Sequence, residues 1–300
     1  AALRERILAW APDVVHSNGL KPHLLLAPLG RRVRIDWHLH DFIGDRPLMR
    51  YALRAASGSA AAALCISRAV GDDAHRWLPR VRCEVVLNGV DVERFSPGPG
   101  DGASLDRLAG LSEAPPGTAR VGMVATYARW KGQDVLLEAA SRCDARFYVV
   151  GGPVYRTSGS QFSLEELRAR AARLGVGERV GFIPFQEDVA SVYRSLDVVV
   201  HASTRPEPFG LTIAEAMACG RPVIASRSGG AAELFQDGVE AIGLQAVTAD
   251  ALAQAISGLL ADPRRREALG AAARAAAVAR LSSERFFEGV RRVYASAAVG

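Results

Sequence analysis

The sequence predicts an α/β protein with parallel sheets, organised as two Rossmann-like domains. Short apolar runs bounded by turn residues alternate with helical patterns along almost the whole chain, which is typical of parallel α/β folds. The length of 300 residues exceeds the roughly 100 to 200 that one domain usually takes. Only residues 96–118, rich in Pro, Gly and Asp, lack this alternation, so they are expected to connect the two domains.

Each element follows from its own pattern of apolar residues. Strands are expected at 13–16, 34–38, 62–66, 84–87, 120–125, 146–150, 180–183, 198–201, 222–225 and 240–244. Helical periodicity is found near 47–57, 68–78, 131–143, 163–174, 187–195, 211–219, 230–236, 249–261, 263–280 and 283–294.

These elements predict a first domain over 1–95, a linker over 96–118 and a second domain over 119–282. The last helix, within 283–300, is expected to pack back on the first domain. The chain begins with a helical pattern that leads directly into a strand, so the first domain is expected to be incomplete.

Composition limits the classes of function. The apolar fraction of 49% and the charged fraction of 23% are ordinary for a globular protein, and no apolar run approaches the roughly 18 residues of a membrane span. Residues 1–95 carry 14 basic and 10 acidic side chains, a bias that favours an anionic acceptor or a lipid surface. Without basic runs or interleaved aromatic residues, nucleic acid is not expected as a partner. We expect a cytoplasmic protein, and peripheral contact with the inner face of a membrane is a further option.

The chemistry concentrates in residues 205–220, which follow an apolar strand and end at a glycine suited to close a helix. The turn at 207–210 therefore lies at the carboxyl end of a strand, where α/β folds bind ligands. The N–H groups of Phe209, Gly210, Leu211 and Thr212 would stand at a helix N-terminus, which favours phosphate oxygens. A pyrophosphate fits there without a metal.

Two glutamates bracket this turn. Glu215, one helical turn inside, is placed to accept from a pair of hydroxyls such as a ribose diol, and Glu207 is placed to reach the hydroxyls of a sugar. Taken singly, a glutamate in such a turn is often only solvated, and one in a first helical turn often only compensates the helix dipole.

Residues 207–215 together with 197–203, 220–226 and 229–233 resemble the Glu-x7-Glu motif of the retaining glycosyltransferase family 4 and its flanks. The resemblance extends to 88–91, 130–134 and 151–153. It implies a GT-B fold in which two Rossmann-like domains face a cleft, with the first domain on the acceptor side and the second binding the nucleotide sugar. It also implies that Glu207 contacts the donor sugar, residues 209–212 the pyrophosphate and Glu215 the ribose. Relatives have further residues before the position that matches Ala1.

Lys131 is a candidate for the donor diphosphate, because only two of the 37 basic residues are lysines and a lysine offers a compact point charge. An ordinary residue at a helix start is the alternative. Relatives usually carry an arginine five positions earlier, where this chain has Thr126. Either Arg129 substitutes for it, or donor affinity is lower. The base and sugar are expected to be selected near Ile183 and Glu207.

His40 follows a strand and resembles the family's His-Asp position, whose histidine lines the site near the transferred sugar. His38 is the alternative on the same strand. The other four histidines, His16, His23, His75 and His201, are interpreted as structural. No Asp-x-Asp occurs, and no metal or cofactor is expected.

These observations predict a metal-independent, retaining glycosyltransferase that uses a UDP or GDP sugar. The acceptor is left open among a carbohydrate, a lipid-linked sugar and a small molecule. Two other classes compete: a GT-B sugar-nucleotide epimerase, for which the first domain offers only Asp36, Asp41 and Asp45 as loose candidates, and a catalytically silent nucleotide-sugar-binding subunit. A Rossmann dehydrogenase is disfavoured, because no Gly-x-Gly-x-x-Gly follows a strand.

Overall fold

The computed structural model describes residues 2–154 and 159–296. The chain divides into two compact units: the described residues within 1–89 and 283–300 form the first, and those within 90–282 form the second.

The first unit contains a four-stranded parallel sheet with strand order β1-β2-β3-β4. All residues of β2 and β3 are buried, as expected for strands covered on both faces. Its α-helices and strands before residue 90 are α1 (Ala2–Trp10), β1 (Val15–Asn18), α2 (Leu20–Leu26), β2 (Ile35–Leu39), α3 (Met49–Ala56), β3 (Ala62–Cys65), α4 (Arg68–Trp77) and β4 (Cys83–Val85).

The second unit contains a six-stranded parallel sheet with strand order β10-β9-β8-β5-β6-β7. Its strands are β5 (Arg120–Val124), β6 (Arg146–Val150), β7 (Val180–Ile183), β8 (Val198–His201), β9 (Val223–Ser226) and β10 (Ile242–Leu244). Its helices are α5 (Gly102–Ala109), α6 (Gln133–Ala140), α7 (Leu164–Arg173), α8 (Val189–Arg194), α9 (Leu211–Ala218), α10 (Ala249–Ala261) and α11 (Pro263–Arg280). The order reverses at β5, which has β8 on one side and β6 on the other.

The last helix, α12 (Ser283–Ala295), belongs to the first unit. Val293 packs in a cluster with Ala62, Leu64 and Val86. The Arg34 guanidinium donates to the carbonyl oxygens of Tyr294 at 2.6 Å and Val293 at 2.9 Å, which anchors the C-terminal turn of the helix. Among the described residues, no helix combines the length and the apolar character needed to cross a membrane.

The predicted strands and helices are found, with bounds that differ by one to three residues at several ends. Three segments differ more. Residues 20–26 form a helix that was not expected, 230–233 form a short 3-10 helix, and 102–109 form α5 inside the predicted linker. Asp101 caps α5 by accepting from the Ser104 N–H at 2.9 Å, so the linker composition conceals a capped helix.

Asp106 in α5 holds a buried polar network. Its carboxylate is fully buried and accepts from Arg146 at 2.7 Å, Arg120 at 3.0 Å, the Tyr148 hydroxyl at 2.5 Å and the Ala114 N–H at 3.0 Å. Burial alone would raise the pKa of Asp106, but these hydrogen bonds outweigh it and lower the pKa to about 2. The carboxylate therefore fastens α5 to β5 and β6.

Replacing Asp106 by Ala is expected to lower the free energy of unfolding by about 3 to 5 kcal/mol, because Arg120 and Arg146 would keep buried charges without their carboxylate. Urea unfolding followed by circular dichroism measures the change. Glu113→Gln is the matched control, since Glu113 is exposed in the same segment, and it should change the free energy by less than about 0.5 kcal/mol. A loss of less than about 1 kcal/mol for Asp106→Ala, the size of an exposed ion pair, would contradict this account.

Candidate active site

The candidate site lies at the carboxyl ends of β5 and β8, where the strand order of the second unit reverses. At such a point the loops that leave two neighbouring strands diverge and open a crevice for a ligand. The loop after β5 carries Lys131, and the loop after β8 carries Glu207 and leads into α9.

The backbone of Glu207 is fixed by the loop after β9. Its N–H donates to the Ser228 carbonyl oxygen at 3.2 Å, and its carbonyl oxygen accepts from the Gly230 N–H at 2.7 Å. Gly229 has φ 66°, and a Cβ there would lie 2.4 Å from the Glu207 carbonyl oxygen. Only glycine fits this approach, so residues 228–230 set the position of Glu207.

Three donors converge on one oxygen of the Glu207 side chain. Oε2 accepts from Lys131 Nζ at 2.7 Å, Ser203 Oγ at 2.9 Å and His201 Nε2 at 3.1 Å. Burial alone would raise the pKa of Glu207, which is 7% exposed, but the contacts with His201 and Lys131 outweigh it and lower the pKa to about 2. Glu207 is therefore a fixed negative charge at neutral pH, and Oε1 is the oxygen left for a further donor.

The loop that carries Lys131 packs directly against the end of β8. Gly132 has φ 82°, and a Cβ there would lie 2.1 Å from the Ala202 carbonyl oxygen. The Thr204 N–H donates to the Trp130 carbonyl oxygen at 2.8 Å, which joins the two loops again. Lys131 Nζ also stands 4.1 Å from the centre of the Trp130 ring. These contacts bring Lys131 and Glu207 together across 76 residues of sequence.

Helix α9 begins directly after the loop that carries Glu207. Gly210 precedes it with φ 105°, and the first hydrogen bond of the helix runs from the Ile213 N–H to the Gly210 carbonyl oxygen at 3.0 Å. The N–H groups of residues 209–212 come before that bond, so they lie where a helix offers unpaired donors. Phe209 is buried and anchors the turn, whereas Leu211 is exposed.

Glu215 lies one turn inside α9 and is half-buried. Its Oε2 accepts from the hydroxyl of Tyr193, a fully buried residue of α8, at 2.8 Å. Burial raises the pKa of Glu215, while the Tyr193 hydrogen bond and the charge of Arg94 lower it in part. The net shift is upward, opposite to that of Glu207.

Two residues predicted to bind the nucleotide sugar, Arg129 and Ile183, do not present free side chains to it. The Arg129 guanidinium pairs with Glu166 at 2.6 Å, donates to the Gly159 carbonyl oxygen at 3.1 Å and stacks on the Phe162 ring at 4.3 Å. Ile183 is fully buried at the end of β7, so its side chain is not presented to a ligand. Before Arg129 could contact a phosphate, its ion pair with Glu166 would have to break.

His40 lies in the first unit, directly after β2. Its Nε2 is buried and has no partner among the described residues. Burial lowers the pKa of His40, opposed by Asp41 and assisted by His16, so the imidazole is neutral at neutral pH. The ring of His38, the alternative, is 4.1 Å from that of His40, centre to centre, and His38 is bonded to His16 at 3.2 Å.

Apart from Lys131, the sequence did not single out the partners of the two glutamates. The sequence predicts a structural role for His201, yet this residue contacts Glu207. For Ser203 and Tyr193 it predicts no role in the site. His201 and Ser203 share a signal that was available, because His201 ends β8, Ser203 follows it, and both lie within six residues of Glu207. Tyr193 gives no such signal, since only the packing of α8 on α9 brings it to Glu215.

Family models match most of the chain. Residues 111–276 match the model described as glycosyl transferases group 1, and residues 1–94 match the model of glycosyltransferase family 4. A GDP-mannose-dependent alpha-(1-6)-phosphatidylinositol monomannoside mannosyltransferase of Mycolicibacterium smegmatis is 33% identical over 87% of this chain and 71% of its own length. A D-inositol 3-phosphate glycosyltransferase of a Mycobacterium strain is 41% identical, over 53% of this chain and only 35% of that protein.

Solved structures share the fold. The crystal structure of the Anabaena protein HepE in complex with UDP superimposes with a TM-score of 0.87 at 27% identity, covering 99% of this chain and 82% of HepE.

Replacing Tyr193 by Phe is expected to raise the pKa of Glu215 further. Burial already raises that pKa, and the Tyr193 hydroxyl is the contact that stabilises the carboxylate most. Carbon-13 NMR titration of the glutamate carboxyl carbons measures the shift. Tyr127→Phe in the same unit is the control and should leave the pKa of Glu215 unchanged; an unchanged pKa in Tyr193→Phe as well would show that the hydrogen bond has no effect on Glu215.

Proposed function

The chain belongs to the glycosyl transferases group 1 family, and from that premise we propose that it moves a hexose from a nucleoside-diphosphate sugar to an acceptor hydroxyl. The observation that carries the proposal is the joining of Lys131 to Glu207 at the strand-order reversal, beside the N-terminus of α9. A cation, a helix N-terminus and a fixed carboxylate at one crevice suit a diphosphate that is attached to a sugar.

The diphosphate would lie between Lys131 and the N–H groups of residues 209–212. One of the three N–H groups of Lys131 Nζ is directed to Glu207, and the other two are available to phosphate oxygens. These groups are in place before the donor enters, so they can stabilise the charge that develops on the departing diphosphate without rearrangement. We propose that this stabilisation replaces a bound metal ion.

The two glutamates would hold the ends of the donor. Oε1 of Glu207 would accept from a hydroxyl of the transferred sugar, while Oε2 stays with its three donors. Glu215 would accept from the ribose diol, and both hydroxyl bonds favour its ionised form. We also propose that His40 takes part in the transfer as a neutral imidazole.

We propose transfer with retention of configuration. The bond between the anomeric carbon and the diphosphate oxygen breaks, and the acceptor hydroxyl oxygen forms the new bond on the same face of the sugar. Its proton passes to the departing diphosphate oxygen, so no protein base is required. NMR of the product reports the anomeric configuration.

The donor base is proposed to be uracil or guanine. The Mycolicibacterium smegmatis relative is named for GDP-mannose, and HepE was crystallised with UDP. The two relatives' names contain phosphatidylinositol and inositol phosphate, which fits the basic excess of residues 1–95. We therefore propose that the acceptor carries a phosphate, whether lipid-linked or free.

Calorimetric titration of the chain against UDP, GDP and ADP, with EDTA present, tests the donor site. We expect one diphosphate to bind, and Glu215→Gln to weaken it about tenfold, the effect of losing a hydrogen bond to a charged group. The control is Glu178→Gln, because Glu178 is exposed in the same unit. Equal affinity in both variants would remove Glu215 from the site.

The affinity should also depend on pH. The pKa of Glu215 is raised above its ordinary 4.5, so on acidification the carboxyl gains its proton earlier than usual and ceases to accept from both hydroxyls. Affinity for the diphosphate is expected to fall as the pH drops through this raised pKa. Glu215→Gln should lose the part of this pH dependence that comes from the carboxyl of Glu215. The same dependence of affinity on pH in the wild type and in Glu215→Gln would contradict the assignment.

Lys131→Ala is expected to weaken binding of the diphosphate about tenfold and of the monophosphate less, because one charged contact is lost. Lys21→Ala is the matched control, since Lys21 is exposed and is the other lysine of the chain. Calorimetry with both nucleotides measures the difference. Equal losses for mono- and diphosphate would place Lys131 away from the second phosphate.

Glu207→Gln should lower turnover by roughly 100-fold, as removal of one transition-state contact typically does, while affinity for the free nucleoside diphosphate changes little. Initial rates with the donor that binds, with and without EDTA, provide the measurement.

Turnover that stops in EDTA and returns with a divalent cation would overturn the metal-independent mechanism.

A further inference from the structure

Two adjoining cavities lie at the amino edge of the second unit's sheet, the edge opposite Glu207. Their volumes are about 590 Å³ and 410 Å³, and both are lined by Asp197, Arg221 and Arg266. Asp197 precedes β8, Arg221 precedes β9 and Arg120, in the smaller cavity, begins β5. Because these three strands are neighbours, the cavities lie at the centre of that edge.

The smaller cavity is strongly basic. Arg120, Arg194, Arg221 and Arg266 line it, and Asp197 is its one acidic residue. The Asp197 carboxylate already accepts from the backbone N–H of Arg120 at 2.8 Å. Arg120 is paired with Asp106, but the other three guanidinium groups share one small space and repel one another, so an anion there would be favourable.

Three of these arginines are positioned without being neutralised. Arg194 donates to the Ser96 carbonyl oxygen at 2.8 Å, Arg221 to that of Leu196 at 3.2 Å and Arg266 to that of Leu260 at 2.8 Å. Within residues 2–154 and 159–296, no carboxylate forms an ion pair with any of the three. Neutral carbonyl oxygens fix the direction of each guanidinium and leave its charge in place.

Two of the arginines that line the smaller cavity carry a buried donor with no acceptor among the described residues. The Nε atoms of Arg120 and Arg221 are buried and unpaired among the described residues. A buried N–H without an acceptor is unfavourable, and one attached to a cation more so. An anion in the cavity would supply acceptors to these groups.

Alternate glycines of the predicted linker make room for the arginines. A Cβ on Gly98 would lie 3.2 Å from Arg194 Cδ, one on Gly100 2.3 Å from the Arg194 carbonyl oxygen, and one on Gly102 2.3 Å from Arg120 Cζ. Side chains at Gly98 and Gly102 would displace the arginine side chains, and one at Gly100 would displace the backbone of Arg194. The Pro/Gly segment thus forms one wall of the cavities.

We propose that these cavities bind a small phosphate monoester, with its phosphate beside Arg221 and Arg266 and its body in the larger cavity. Arginine forks match phosphate oxygens in geometry and charge. The larger cavity offers apolar contacts to the body through Pro97, Pro222, Pro263 and Ala271, and Glu267 and Arg274 are further charged residues of its lining. The site shares no residue with the donor site proposed above and does not depend on that function.

Calorimetry with phenyl phosphate and inorganic phosphate tests this site. Phenyl phosphate is expected to bind more tightly than inorganic phosphate, because only the ester fills the larger cavity. Arg221→Gln and Arg266→Gln should each weaken binding about tenfold, the effect of losing a charged hydrogen bond. Arg265→Gln, an exposed neighbour on α11, is the matched control and should bind like the wild type.

Equal affinity in Arg221→Gln, Arg266→Gln and Arg265→Gln would overturn the proposal, as would the absence of binding to the wild type. Circular dichroism establishes that each variant is folded. Should the cavity variants fail to fold, a crystal of the wild type soaked in tungstate decides instead. Density for tungsten beside Arg221 and Arg266 supports the site, and density only at other places overturns it.

Discussion

The reversal of strand order at β5 is the constraint on which the rest of the candidate site depends. A parallel sheet brings the carboxyl ends of its strands to one edge, and the reversal separates the loops that leave β5 and β8. Lys131 and Glu207 come from those two loops, and the glycines at 132 and 229 allow the backbones to approach closely enough for the side chains to meet. Without this topology, the motif at 207–215 would have no cation beside it.

Burying an ion pair is costly unless further hydrogen bonds compensate the loss of water. The Lys131 and Glu207 pair meets this condition, because Ser203 and His201 also donate to the same carboxylate oxygen. Such a pair adds little to stability by itself, but it fixes the direction of both charges before any ligand arrives. The arrangement therefore fits a site whose task is to stabilise a departing anion, where preorganised charge matters more than binding strength.

Fold and family were predictable from the sequence because their signals are local. The alternation of strands and helices and the motif at 207–215 with its flanks led to an α/β GT-B protein of glycosyltransferase family 4, and both conclusions are confirmed. The roles of individual site residues stay predictions. What the sequence missed are contacts made by packing: Tyr193 reaches Glu215 from another helix, and Asp106 reaches Arg146 from a segment whose composition indicates a loop. A glycine-rich stretch conceals a helix when its stability comes from a cap and a distant ion pair.

The two glutamates of the motif have opposite pKa shifts, and the difference follows from their partners. Both are removed from water, which disfavours the charged form. Glu207 faces an ammonium group and two further donors, so its pKa falls to about 2, whereas Glu215 has one neutral phenol and a more distant arginine, so its pKa rises. Glu207 is thus a fixed charge at neutral pH, whereas the charge of Glu215 is open to further stabilisation. If Glu215 accepts from donor hydroxyls as proposed, donor binding and proton release would be coupled at this carboxyl.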